Sequence, residues 1–267
     1  MLNDMMLGQF FPENSVLHRM DARAKIIMLF ILIIAIFLCD SRVDYSLLIF
    51  LNIALMLVSK IPFIMYLKAL KPMFWIVLFT FVVHVFSGEG KTIASLWIFS
   101  VTWEGLSEGI FITLRLVLLV LMASILTFTT SPLVLTDALE SLLSPFKKIG
   151  VPAHELSMMM TIALRFIPTL ITETDKIIKA QKSRGADFSS GNILQRMKYV
   201  MPILIPLFVG AFRRADELAM AMESRCYRGG QGRTRMKEMK IGNLDFCLMV
   251  IFAAIIACLL FFKIEGI

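Results

Sequence analysis

The sequence is poor in the residues that most enzymes rely on. Its 267 residues include only three histidines, and only 18% are Asp, Glu, Lys or Arg. No H-E-x-x-H, no G-x-S-x-G and no D-D-x-x-D-type acidic pair occurs, and His154-Glu155 has no second histidine at metal-binding spacing. No catalytic site and no metal site is therefore expected. The four cysteines, Cys39, Cys226, Cys247 and Cys258, form no C-x-x-C. Three lie in or beside apolar runs, where a free thiol behaves as a small hydrophobe, so no disulfide is expected. Residues 1–20 lack a cationic region followed by an apolar core, so no cleavable signal is expected either. Two glycine-rich words fail as phosphate loops. Gly88-Glu89-Gly90-Lys91-Thr92 has Val85 where the pattern needs Gly, and Gly229-Gly230-Gln231-Gly232-Arg233-Thr234 has Arg where it needs Lys. The chain is not expected to hydrolyse ATP by itself.

What is abundant is apolar surface. Hydrophobic residues make up 58% of the chain, against about 45–50% in a soluble domain. The expected class is an all-α integral membrane protein with about five transmembrane helices and a cytoplasmic domain of long amphipathic helices. The first uncharged run, residues 26–39, spans only about 20 Å as a helix, short of the roughly 30 Å bilayer core. The helix should therefore begin near Ala22, with Lys25 snorkelling to the interface. Residues 40–44 read as a turn. Further spans are expected at 45–59, 72–86, 104–129 and 244–262. Residues 92–102 are rich in aromatic and β-branched side chains and predict a small hairpin inside an outer loop of about 88–103. Trp97 and Trp103 would lie at the membrane surface. These elements give an N-terminal transmembrane region, 1–130, a helical domain, 131–240, and a C-terminal transmembrane helix, 241–267. His84, near the outer end of the third span, reads as an interfacial or packed side chain.

Charge is unevenly placed. The formal net charge is +7, and residues 153–240 alone hold 15 Lys and Arg against 8 Asp and Glu, while the rest of the chain holds 12 of each sign. Such a block can meet anionic headgroups or acidic protein grooves, and its apolar content makes nucleic acid an unexpected partner. Arg19, Arg23, Lys25, Lys60, Lys68, Lys71, Lys147, Lys148 and the basic block fall on one face, and only Arg42, Lys91 and Lys263 on the other. The positive-inside rule makes the first face cytoplasmic, with the N-terminus inside and the C-terminus outside.

Within the block a short amphipathic helix, about 133–148, is followed by two long ones, 153–184 and 193–226. Pro152 suits a first-turn position. Pro168 in the first, and Pro202 and Pro206 in the second, are expected to bend them. A long, bent, half-amphipathic helix is a poor span and suits the membrane surface. Met158, Met159, Met160 and Met220, with Leu204 and Phe208, offer soft apolar faces that either fill a core or repack against partners. Each long helix ends on the same word, A-x-x-S-R: Ala180-Gln181-Lys182-Ser183-Arg184, then Ala221-Met222-Glu223-Ser224-Arg225. A single arginine there would complement the helix dipole, worth about 0.3–1 kcal/mol. Its repetition at two tips points to docking, with each guanidinium forking onto a partner carboxylate. Arg115 lies mid-span, a functional position by default, but no second embedded acid accompanies it and a structural role is expected.

Several stretches, in this order and spacing, resemble the T component of energy-coupling factor vitamin transporters, their transmembrane coupling subunit. They are Ser15-Val16-Leu17-His18-Arg19-Met20-Asp21-Ala22-Arg23-Ala24-Lys25; Thr129-Thr130-Ser131-Pro132; Ala163-Leu164-Arg165-Phe166-Ile167-Pro168; Ser183-Arg184-Gly185; and Arg214-Ala215-Asp216-Glu217-Leu218-Ala219 through Arg225 to Arg233-Thr234. Together they cover nearly the whole chain. The family usually shows Ala-Arg-Gly at both tips. Here Ser183 and Ser224 precede the arginines and Cys226 replaces the second glycine, which leaves the local loop geometry open.

The resemblance implies a non-catalytic subunit that binds two ABC-type ATPase subunits. Arg184 would enter one and Arg225 the other, with Ser183, Gly185, Ser224 and Cys226 completing the tips. It also implies a small membrane S component that captures a vitamin or related micronutrient. Met158, Met159, Met160, Leu204, Phe208 and Met220 are the candidate contacts to it. This chain would bind no cofactor, since ATP and Mg would be used by the ATPases. Residues 131–240 would be the coupling domain, shifted by ATP-driven closure of the ATPases so that the S component reorients. Two alternatives have their own requirements. A conventional ABC permease needs embedded polar groups along a substrate path. A membrane enzyme of lipid or isoprenoid chemistry needs paired carboxylates or histidines at the membrane surface. The sequence does not identify the vitamin or metal carried.

Overall fold

The computed structural model describes residues 10–39, 41–87, 92–96, 99–186, 193–230, 239 and 242–265. The chain forms two compact units, Gly8–Leu135 with Glu238–Ile267, and Thr136–Lys237. It is an all-α membrane protein decorated by one small hairpin.

The first unit begins with a single helical turn, α1 (Val16–Arg19), and continues through α2 (Ala22–Leu38), α3 (Arg42–Ser59), α4 (Phe63–Leu70), α5 (Phe74–Ser87) and α6 (Trp103–Thr129), closing with α10 (Asn243–Glu265). Helices are what an apolar chain must form in lipid, because each satisfies its own backbone polar groups. Arg42–Ser59, Phe63–Ser87 and Trp103–Thr129 are long and apolar enough to cross a membrane. α2, with 17 residues, is shorter. Its Leu32 and Ile36 are buried while Phe30, Ile34 and Phe37 face outward, as expected where lipid covers one side. α6 is the central post, packing on α2, α3, α4 and α5. Between α5 and α6, β1 (Thr92–Leu96) and β2 (Phe99–Thr102) pair antiparallel, with Leu96 opposite Phe99. Thr102 then caps α6, its hydroxyl accepting from Gly105 N.

Three local readings of the sequence change. Residues 40–44 read as a turn, yet α3 starts at Arg42. Ser41 and Asp44 form a capping box, so the charged word is a helix start. The third span begins before Pro72. Phe63–Ser87 is one helical stretch of 25 residues, and Pro72 sits in a 3-10 turn, Lys71–Met73, at a first-turn position where its missing N–H is harmless. Lys25 does not snorkel. It is 8% exposed, and its Nζ donates to Thr129 O at 3.0 Å and Thr130 Oγ1 at 3.1 Å, across the C-terminal end of α6. The Thr129 carbonyl, at the last turn of α6, has no partner within its own helix, and a cation completes it better than water does.

The same corner gathers further polar groups. Asp21 caps α2, accepting from Arg23 N at 2.9 Å, and its own N–H donates to Asp245 Oδ1 at 2.9 Å. The other Asp245 oxygen accepts from Gly242 N at 2.8 Å. Arg23 bridges Asp21 and Met239 O, each at 2.9 Å. The starts of α2 and α10 and the end of α6 are thus clasped together. Two of the stretches that resemble the family, around Asp21 and around Thr129, meet here.

In the second unit α7 (Pro132–Leu143) runs into a 3-10 turn, Ser144–Ile149, and then come α8 (Ala153–Ser183) and α9 (Ile193–Ser224). Pro168 lies inside α8, and Pro202 and Pro206 inside α9, and neither helix is broken there. α8 and α9 pack on each other, and Arg214 of α9 pairs with Glu173 of α8. α8 is long and apolar enough to cross a membrane, the least apolar of the four helices that are, so by length and composition it is not the poor span that its bend and half-amphipathic pattern suggest. Its C-terminal half, carrying Lys176, Lys179 and Lys182, is the amphipathic part. Trp97, Gly88-Glu89-Gly90-Lys91, the Ser189-Ser190-Gly191-Asn192 turn and Arg233-Thr234 lie outside the described residues.

Arg115 is a structural tie. Its Nε donates to the Tyr45 hydroxyl at 3.1 Å and its Nη2 to Cys39 O at 3.0 Å, past the C-terminal end of α2, while the guanidinium lies 5.8 Å from the Phe37 ring centre. Arg115→Met should lower stability by about 1.5–3 kcal/mol, the usual worth of charged hydrogen bonds. Thermal unfolding of the purified chain would show it, and an unchanged midpoint would refute the structural role.

Candidate functional site: the two helix tips

The two A-x-x-S-R words fold into the same cap. At the first tip Ala186 N donates to Gln181 O and Gly185 N to Lys182 O, both at 3.0 Å. At the second Tyr227 N donates to Met222 O at 3.0 Å and Cys226 N to Glu223 O at 2.9 Å. This is the Schellman arrangement, which needs a left-handed residue after the helix. Gly185 supplies it at φ +88°, and Cys226 at φ +55°. The open question about loop geometry is answered. Cysteine adopts the backbone that glycine normally provides, at about 1–2 kcal/mol of steric expense.

The serines in both words bond back to their own helices, Ser183 Oγ to Lys179 O at 3.1 Å and Ser224 Oγ to Ala221 O at 3.0 Å. They shape the tip and leave the arginine as its projecting group. Arg184 and Arg225 are exposed. Among the described residues neither guanidinium has a hydrogen bond or ion pair within the protein. Each therefore presents an unengaged planar fork at the end of a long, rigid helix.

The second tip carries an extra support that the sequence does not reveal. Glu140 of α7 pairs with His154 Nδ1 in the first turn of α8 at 3.0 Å, and His154 Nε2 lies 3.3 Å from the Tyr227 hydroxyl. Gly230 packs flat on the same imidazole, so closely that a Cβ there would lie 2.7 Å from His154 Cγ and Cδ2. The partners are 14 and 73 residues apart in sequence, so no periodicity exposes them. His154-Glu155 reads only as a failed zinc word, while the acid that engages His154 is Glu140.

The apolar contact candidates separate into two groups. Met159, Met160, Leu204, Phe208 and Met220 are exposed, at 41–62%. Met158 is half-buried and lines a groove beside the second tip. Among the described residues no group of His, Cys, Asp and Glu is arranged to hold a metal.

Residues 13–236 match the family model described as cobalt transport protein. A curated energy-coupling factor transporter transmembrane protein of Acidaminococcus fermentans is 53% identical over 263 residues, covering 98% of both chains. The chain belongs to this family of transporter transmembrane proteins. Relatives of the same name are 54% identical in Ruminiclostridium cellulolyticum, over 92% of both chains, and 46% identical in Bacillus subtilis, over 98% of this chain and 99% of that one. The family match spans both tips, the His154 network and the part of the polar corner that Asp21, Arg23, Lys25 and Thr129 supply.

In this chain Cys226→Gly should stabilise the second tip by about 1 kcal/mol by removing the Cβ clash of the left-handed backbone. Cys226→Val should do the reverse, because a branched side chain fits that region worst. Thermal unfolding of both variants decides, and equal midpoints would refute the cap assignment. Gly230→Ala should displace the His154 ring, and the Tyr227 contact would be lost with it. The readout is faster amide hydrogen exchange at residues 225–230, which is absent if the ring does not brace that loop.

Proposed function

We propose that this protein is the coupling subunit of an ATP-driven importer, linking two ABC-type ATPase subunits to a small membrane S component that captures a vitamin or related micronutrient. The observation that carries the reading is the pair of matching Schellman caps, each projecting an arginine that has no hydrogen bond or ion pair among the described residues. Arg184 enters one ATPase and Arg225 the other, each forking onto a carboxylate. The exposed Met159, Met160, Leu204, Phe208 and Met220 face the S component, which must bind and leave, as soft Met-rich surfaces allow. ATP and Mg belong to the ATPases, and this subunit is not catalytic. Nucleotide-driven closure shifts α8 and α9, and the S component reorients in response. Residues 131–240 lie at the cytoplasmic membrane surface, where the basic excess is concentrated.

Two experiments test this. Arg184→Ala or Arg225→Ala should weaken co-purification with the ATPase subunits, and the double variant should abolish it while membrane insertion stays normal. Lysine at both positions should rescue poorly, because the fork is lost. Intact assembly and transport in the double alanine variant would overturn the docking role, and transport by the reconstituted chain alone would overturn the coupling role. For orientation, the exposed thiol of Cys226 should react with a membrane-impermeant maleimide in inside-out vesicles and not in right-side-out ones. The opposite pattern would reverse the topology.

A further inference from the structure

Beside the second tip, the N-terminal half of α8 and the end of α9 enclose a groove of about 680 Å3. Arg165 comes from α8, and Arg225 and Arg228 from the end of α9 and the residues after it. The opposite character comes from Met158, Leu218 and Met222. Among the described residues none of these arginines has a hydrogen bond or ion pair within the protein, and no acidic side chain lines the groove. Three arginines therefore line one groove with no acidic side chain among its described lining residues, and a bound anion would balance their charge. Guanidinium forks match phosphate oxygens in geometry as well as charge.

The apolar wall narrows the choice of anion. A free phosphate would leave Met158, Leu218 and Met222 facing water. The same two helices also expose Met159, Met160 and Met220 nearby in sequence, at 55%, 46% and 62%. Anionic headgroup and acyl chain together satisfy both halves, and the volume lies within the roughly 300–1,000 Å3 of ordinary ligand sites. We infer that this groove binds an anionic phospholipid, its phosphate held by Arg165, Arg225 and Arg228 and an acyl chain laid along the methionine wall. The inference rests on the proposed location of this block at the cytoplasmic membrane surface. It adds a lipid contact to the tip that engages one ATPase, so the headgroup and the ATPase compete for Arg225 while Arg165 and Arg228 keep the lipid nearby.

The test uses the full chain purified in detergent. Native mass spectrometry would measure retention of phosphatidylglycerol, phosphatidylcholine and inorganic phosphate. Wild type should retain phosphatidylglycerol in preference to phosphatidylcholine. Arg165→Gln with Arg228→Gln should weaken that retention about tenfold or more, the effect of losing one or two charged hydrogen bonds. Arg165→Lys with Arg228→Lys should keep the preference at lower affinity, which separates charge loss from misfolding. Equal retention of the two lipids, or unchanged phosphatidylglycerol binding in the glutamine variant, overturns the inference. Displacement of the lipid by an equal concentration of inorganic phosphate also overturns it, in favour of a soluble anion. So does a glutamine variant that loses ATPase co-purification while retaining lipid, which assigns the groove to the ATPase. The docking reading fails separately, if Arg184→Ala leaves ATPase co-purification unchanged, and the location reading fails on the Cys226 labelling pattern.

Discussion

A lysine buried against the end of a membrane helix organises the first unit. Apolar helices in lipid satisfy their own backbones everywhere but at their ends. Lys25 reaches from α2 to the last carbonyl of α6, and Asp245 reaches from α10 to the backbone N–H of Asp21. Each charge is buried with hydrogen-bond partners, the condition under which such burial is tolerated. The result fixes three helix ends at one corner, at the point where α6 hands the chain on toward α7. A shift of that corner would have to break several polar contacts at once.

The tips obey a similar rule in a different setting. A helix end exposes carbonyls, and the Schellman turn satisfies them through backbone N–H groups instead of side chains. Arg184 and Arg225 join that capping only through their backbone N–H groups, which leaves their side chains free of it. The flanking serines bond to their own helices, and the left-handed residue turns the chain away. Sequence identity between the words is therefore a statement about backbone geometry, with the arginine as the one group left over.

Much of this is legible in the sequence, and the reasons it stops are physical. Spans such as α6 announce themselves by apolar length, and the tips by a repeated word ending in Arg. The capping box at Ser41 and Asp44 hides because the same residues favour turns. The extension of the third span through Phe63–Ser87 hides behind Pro72, which reads as a start yet is compatible with a helical path that is already under way. Lys25 misleads because a long cationic side chain near a helix start usually finds water, and only the proximity of α6 offers it something better. The His154 network leaves no trace, since Glu140, His154 and Tyr227 follow no period and meet only when three elements are packed.

That network makes the two tips mechanically unlike. The second is cross-linked to α7 and to the first turn of α8 through Glu140, His154 and Tyr227. Among the described residues the first tip ends in its cap and has no such cross-link. A load on Arg225 spreads into three elements, whereas one on Arg184 enters the far end of α8 alone. One end is braced and the other is compliant, so two equal forces applied to the tips would produce unequal displacements.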